Sequence, residues 1–226
     1  MIRLSNMMFP NWAKNILFLL VYMISGLVLV VIIEGLLSGT ELTPLNIAIE
    51  QVMTHIRTPL LTTFMVFVTR LGNPAVLISI AAFLVVLLMM RGRSYDAALF
   101  AITMIVAVVS LTILKNTFQI ARPSSLLVDT KGWSFPSGHT TMATTFFFML
   151  VYSFLNRMKT VKGKTVLILG SILAAVLIGL SRLYLGAHWA LDILAGIALG
   201  FLSVSFTVLI FSVFIGDNRS FQNRMD

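Results

Sequence analysis

Of 226 residues, 58% are hydrophobic and only 11% charged, against the roughly 25% charged content of soluble domains, so a soluble fold is excluded and a membrane protein is expected. A formal net charge of +8 would point to nucleic acid in a soluble chain. Here most of the Lys and Arg fall in short segments between apolar runs, where they report membrane orientation, and no nucleic-acid partner is expected. With no cysteine, neither a disulfide framework nor a thiolate metal site can form.

Residues 16–33 form the first long apolar run, preceded by Lys14. The run is too long for a removed signal peptide and lacks a clear small-residue cleavage site, so it reads as an uncleaved first span. Residues 38–70 mix Glu41, Pro44, Glu50, His55, Arg57 and Pro59 with apolar side chains, the pattern of amphipathic helices lying in the interface. Residues 59–70, just before the break at Leu71-Gly72-Asn73-Pro74, are too few to cross about 30 Å of hydrocarbon and should dip in or bend into the next span. Apolar runs at 74–90, 95–117, 139–155, 165–180 and 189–215 bring the crossings to six. The expected fold is all-α, a six-transmembrane-helix bundle with interfacial amphipathic helices between spans one and two. At about 20 residues per span, little is left over, and residues 1–226 are expected to be a single integral-membrane domain.

Parity places Arg3, Lys14, Arg91, Arg93, Arg157, Lys159, Lys162, Lys164, Arg219 and Arg224 on one side, which the positive-inside rule makes cytoplasmic, together with both termini. The other side retains Arg57, Arg70, Lys115, Arg122, Lys131 and Arg182, which that rule does not explain.

Three polar clusters fall on this opposite side. In KNTFQIARP, residues 115–123, Lys115 and Arg122 are seven apart and would share a helix face before Pro123 ends the helix. They could converge on an anion or simply snorkel to the headgroups. In WSFPSGHTT, residues 133–141, Pro and Ser begin a new apolar helix whose first amides, near Ser137, Gly138 and His139, form a phosphate cradle or an ordinary cap. In SRLYLGAHWALD, residues 181–192, His188 and Asp192 are four apart and would meet on a helix. That pair makes a nucleophile or a base, or else a buried Asp satisfied by its neighbour. Counting crossings puts the end of span three, the start of span four, the end of span five and the start of span six on one membrane face. Lys115, Arg122, Ser137, Gly138, His139, Arg182, His188 and Asp192 can therefore share one pocket, and three cations with a helix N-terminus and two imidazoles describe a receptor for phosphate.

K-x6-RP, PSGH and SR-x5-H-x3-D, in this order and intact, resemble the three signature motifs of the type 2 phosphatidic acid phosphatase superfamily, which includes the soluble vanadium haloperoxidases. The six-span arrangement is similar to that of bacterial membrane lipid phosphatases, in particular the phosphatidylglycerophosphatase B type. The resemblance implies that His188 is the nucleophile, forming a phosphohistidine, with Asp192 orienting it, and that His139 protonates the leaving oxygen. It also implies that Lys115, Arg122, Arg182, Ser137 and Gly138 hold the phosphoryl oxygens, and that water then frees phosphate from His188. The expected reaction is hydrolysis of a lipid phosphate at the outer face of a bacterial cell membrane. Phosphatidylglycerophosphate is the first expectation for the lipid, and undecaprenyl diphosphate the alternative.

No cofactor is expected, and no metal: the outer carboxylates Glu41, Glu50, Asp129 and Asp192 are not clustered as Mg²⁺ or Ca²⁺ sites require. His55, with no carboxylate at helical spacing, is assigned to surface or headgroup contact. The substrate is expected to reach the pocket within the bilayer, through a lateral opening between spans, and no obligate protein partner is evident. A proton-coupled transporter using His, Asp and Arg as a relay is the alternative of another class. Relay groups usually lie deep within spans, however, and here the ionisable ones gather at helix ends near one interface; Glu34 is the nearest exception, and it lies at the end of its span.

Overall fold

The computed structural model describes residues 11–38 and 42–214. Arg3, Glu41, Ile215, Arg219 and Arg224 lie outside them. The described residues contain no strand. They form α1 (Asn11–Ser38), α2 (Leu42–His55), α3 (Pro59–Leu71), α4 (Pro74–Met90), α5 (Ser94–Phe118), α6 (Gly138–Phe154), a 3₁₀ turn (Leu155–Arg157), α7 (Val161–Tyr184) and α8 (Ala190–Phe214).

Four helices, α1, α5, α7 and α8, are each long and apolar enough to cross a membrane, and α3 with α4 passes the same test as a pair bent by 42°. The bend has a local cause. Asn73 accepts from the Ala75 amide at 2.9 Å and Pro74 opens α4, so Pro74 cannot extend α3 and disfavours helical backbone at Asn73. α3 thus bends into α4 at the break that the sequence marks. α6, at 17 residues, is about 26 Å long.

α6 is packed by α4, α5, α7 and α8. Because protein rather than lipid surrounds it, polar side chains are tolerated on its buried faces, and Thr141 and Thr145 donate back to the Ser137 and Thr141 carbonyls at 2.9 and 2.8 Å. Two glycines on α8 let it approach. A Cβ on Gly196 would lie 2.9 Å from the Ser137 carbonyl oxygen, and one on Gly200 2.7 Å from Thr144 Cβ. This is the small-residue spacing by which membrane helices pack backbone to backbone.

α2 folds onto the α7–α8 corner. Its Asn46 side chain accepts from the Leu191 amide at 3.2 Å, supplying a partner to one of the free donors of the first turn of α8. Arg57, one of the basic residues the loop rule left unexplained, donates to the Tyr184 carbonyl at 3.1 Å and to Ser125 Oγ at 3.2 Å. It closes the C-terminal end of α7, where a cation is favoured. Arg70 and Lys131 are exposed.

Gly200→Ala is expected to destabilise the bundle by about 1–3 kcal/mol through overpacking. A lowered melting temperature of the detergent-solubilised protein checks this; an unchanged one would mean that α6 and α8 can separate at no cost.

Candidate active site

The corner between α7 and α8 sets the position of His188. Gly186, at φ +65°, turns the chain where a Cβ would lie 2.6 Å from the Ser125 carbonyl oxygen, a place only glycine fits. The Leu127 amide bonds the Leu185 carbonyl at 3.0 Å, and the Ala187 amide bonds the Arg182 carbonyl at 3.0 Å, so the corner is held from both sides. His188 is therefore not on a helix with Asp192, as the four-residue spacing predicted. It precedes α8, and the two side chains meet across the turn that begins that helix.

Asp192 Oδ2 collects three neighbours. It accepts from the Trp189 amide at 2.9 Å, the reciprocal half of a capping box, accepts a short hydrogen bond from Ser134 Oγ, and lies 3.4 Å from His188 Nδ1. On the other edge of the ring, Nε2 faces Arg122 Nη1 at 3.3 Å. A guanidinium can only donate, so Nε2 must carry its lone pair and the ring proton sits on Nδ1, toward Asp192 and Ser134. Burial, with His188 only 4% exposed, and then the charges of Arg182, Arg122 and Lys115 push its pKa well below the usual imidazole value, against a weaker opposing effect from a Ser134 hydrogen bond. The resting ring is neutral, with its free lone pair aimed among cations.

Lys115 and Arg122 converge, but not on one helix face. α5 ends at Phe118, Gln119 turns into the left-handed region at φ 48°, and Arg122 reaches the site from the non-helical segment that follows. The physical reason is the restriction that Pro123 and the left-handed Gln119 place on continuing the helix. Both cations hold the chain just ahead of α6. Lys115 Nζ donates to the Trp133 and Ser134 carbonyls at 2.6 and 3.3 Å, while Arg122 donates to the carbonyls of Gly132, Lys131, Trp133 and Ala187. Arg182, in the last turn of α7, is 3% exposed. Its Nη1 donates to Thr69 Oγ1 at 2.8 Å, and its buried Nε has no hydrogen-bond partner among the described residues. An orphaned buried guanidinium N–H costs free energy unless an oxygen arrives to accept from it.

Ser137 is the N-cap of α6, and Gly138 and His139 begin the helix, so their amides are among its free N-terminal donors. The Ser137 amide bonds the Asp192 carbonyl at 3.0 Å, tying the start of α6 to that of α8. Gly138 lies against Lys115, where a Cβ would stand 3.9 Å from Cε. His139 is within electrostatic reach of Arg182, His188, Arg122 and Lys115, and its ring makes no hydrogen bond among the described residues. All eight site residues expected from the sequence therefore gather at one end of the bundle.

Ser134, Thr69 and Trp189 were not among them. Ser134 stands inside the stretch already singled out, two residues before Pro136, but a serine there carries no sign that its hydroxyl reaches Asp192. A small cavity of about 10 Å³, room for about one water, lies between α2 and the α7–α8 corner, lined by Asn46, Glu50, Met53, Gly186 and His188 among others. Among the described residues no three His, Cys, Asp or Glu side chains could hold a metal ion together. His55 is exposed, its Nδ1 2.8 Å from the Gln51 carbonyl, as expected of a surface residue.

Residues 96–215, more than half of the chain, match the PAP2 superfamily and contain all three polar clusters. The chain belongs to that superfamily. It is similar to phosphatidylglycerophosphatase B of Bacillus subtilis, 29% identical over 158 residues that cover 69% of this chain and 77% of the relative. It is also similar to an undecaprenyl-diphosphatase of Sulfolobus acidocaldarius, 30% identical over 180 residues covering 75% and 82%. The fold matches the crystal structure of a transmembrane PAP2-type phosphatidylglycerolphosphate phosphatase from Bacillus subtilis, with a TM-score of 0.71 at 24% identity over 94% of this chain and 98% of that one. It also matches Aquifex aeolicus LpxE, with a TM-score of 0.58 at 28% identity over 73% and 94%. The chain is a multi-pass membrane protein of the PAP2 lipid phosphatases.

Ser134→Ala removes one donor from the buried Asp192 carboxylate and one neighbour from His188. Loss of a hydrogen bond to a charged group predicts a fall in turnover of about tenfold to a hundredfold, measured as phosphate release, with the protein still folded.

Proposed function

We propose that this chain hydrolyses a phosphate ester of a membrane lipid through a phosphohistidine at His188, without a metal ion. The observation that carries the reading is the orientation of His188, whose Nε2 faces Arg122 while its Nδ1 edge faces Asp192. In the first step Nε2 attacks phosphorus as the bond to the leaving oxygen breaks, and His139 gives that oxygen its proton. The ring, now carrying positive charge, is stabilised by Asp192. Lys115, Arg122, Arg182 and the amides that follow Ser137, including that of Gly138, hold the phosphoryl oxygens, where charge accumulates in the transition state. Water then attacks phosphorus, His139 takes its proton, the N–P bond breaks, and phosphate leaves. The cations do in this scheme what Mg²⁺ does elsewhere.

The same reading takes residues 1–226 as one membrane domain with six crossings: α1, the bent α3–α4 pair, α5, α6, α7 and α8, with α2 lying in the interface. Parity then sets the site opposite Arg91, Arg93, Arg157, Lys159, Lys162 and Lys164. The positive-inside rule makes that the extracytoplasmic face of a bacterial cell membrane, with both termini cytoplasmic. Phosphatidylglycerophosphate is the first substrate, supported by the Bacillus subtilis relative, and it would enter laterally from the bilayer. Undecaprenyl diphosphate is the second, supported by the Sulfolobus acidocaldarius relative. The transporter alternative has no support in the relatives or in a site gathered at helix ends.

Purified protein is expected to release phosphate in EDTA, and a panel of phosphatidylglycerophosphate, phosphatidic acid, diacylglycerol pyrophosphate and undecaprenyl diphosphate ranks the lipids. His188→Ala should lose about 10⁴-fold or more of the rate; activity that survives it removes the nucleophile assigned here. The depressed pKa of His188 keeps the nucleophilic form present down to pH values well below 6.5, so kcat/KM should fall with acid only below that value. A pH–rate profile with its acid midpoint at or above 6.5 would contradict the neutral resting ring.

A further inference from the structure

Arg182 is the one cation of the site whose orientation is set by a helix that lies outside the matched superfamily residues. Its Nη1 donates to Thr69 Oγ1 on α3. Both residues are buried, Thr69 at 6% and Arg182 at 3% exposure. Threonine in a helix commonly turns its hydroxyl back to the carbonyl four residues earlier, as Thr63, Thr103 and Thr145 do here. The Thr69 hydroxyl points across to α7 instead.

The helices are spaced for this contact. At Gly72, where α3 ends, a Cβ would lie 2.6 Å from Ile178 Cγ1 and Cγ2, so only glycine allows α3 so close to α7. Thr69 is about one turn back along α3 from Gly72, and Arg182 about one turn forward along α7 from Ile178. The break that bends α3 into α4 thereby brings a hydroxyl to the guanidinium.

What the contact leaves open matters as much as what it occupies. A planar guanidinium offers two donors side by side along its Nε–Nη2 edge, the fork that matches two oxygens of a phosphate. With Nη1 on Thr69, that edge is the free one: Nε is buried without a partner, and Nη2 makes no hydrogen bond among the described residues. We propose that Thr69 is a positioning residue for the reaction, holding Arg182 by Nη1 so that its Nε–Nη2 fork is presented to the phosphoryl group. The inference rests on the reading of Arg182 as a phosphate ligand.

Orthovanadate, a tetrahedral oxyanion that needs no lipid, is the probe, titrated against the full chain in detergent micelles by calorimetry. Thr69→Val keeps the shape and removes the acceptor; it should weaken orthovanadate binding about tenfold, as loss of a charge-assisted hydrogen bond implies, and Thr69→Ser should restore it to within about twofold. With phosphatidylglycerophosphate, KM should rise by a similar factor while kcat changes less. In an Arg182→Ala background, Thr69→Val should cost nothing further, the result expected when one residue acts only through the other. Affinity undiminished in Thr69→Val, a serine variant as weak as the valine one, or additive losses in the double variant would each overturn the inference while leaving the phosphatase reading intact. Failure of the unaltered protein to bind orthovanadate would instead remove the anion site itself, and with it both readings.

Discussion

Three cationic side chains at one end of an apolar bundle must be given oxygen atoms, and the arrangement of the site follows from which oxygens each receives. An isolated charge in such surroundings is costly, so each is paired or neutralised. Lys115 and Arg122 take main-chain carbonyls of residues 131–134 and 187. Arg182 takes a threonine hydroxyl and is left with a free fork. The first two therefore also build the site, because the carbonyls they grip belong to the segment that leads into α6. Gripping that segment fixes Ser134, and Ser134 fixes Asp192 and the ring of His188.

The same constraint explains why the helix beginning with Gly138 is enclosed. A helix N-terminus with free amides and a polar start cannot face lipid, since nothing there would accept from those amides. α6 is surrounded by four other helices, and α8 reaches it only because Gly196 and Gly200 remove the side chains that would keep the two backbones apart. Close packing and catalytic geometry are thus one feature: the Ser137 amide that bonds the Asp192 carbonyl lies in the same contact as Gly196.

The clustered cations of the site suit an incoming anion. His188 is held neutral among cations, which suits a nucleophile, and the added negative charge of a phosphate dianion would relieve the mutual repulsion of Lys115, Arg122 and Arg182. The His139 ring makes no hydrogen bond among the described residues and, in the mechanism proposed above, meets the leaving oxygen.

From the sequence alone, the apolar runs determined the helices, and the counting of crossings predicted that the eight residues of three separated clusters lie at one end. Hydropathy and helix caps are local properties, legible in windows of about 20 residues or fewer. Two local inferences failed for the same reason. Lys115 with Arg122, and His188 with Asp192, were placed on helix faces by spacing alone, whereas a left-handed Gln119 ends α5 and the Gly186 turn leaves His188 ahead of α8. Only the tertiary structure decided that Ser134 bridges to Asp192, that Arg122 faces Nε2, and that Thr69 holds Arg182. Each is a hydrogen bond between residues 58 to 113 positions apart, and its direction depends on how two helices and a loop pack, which no periodicity in the chain encodes.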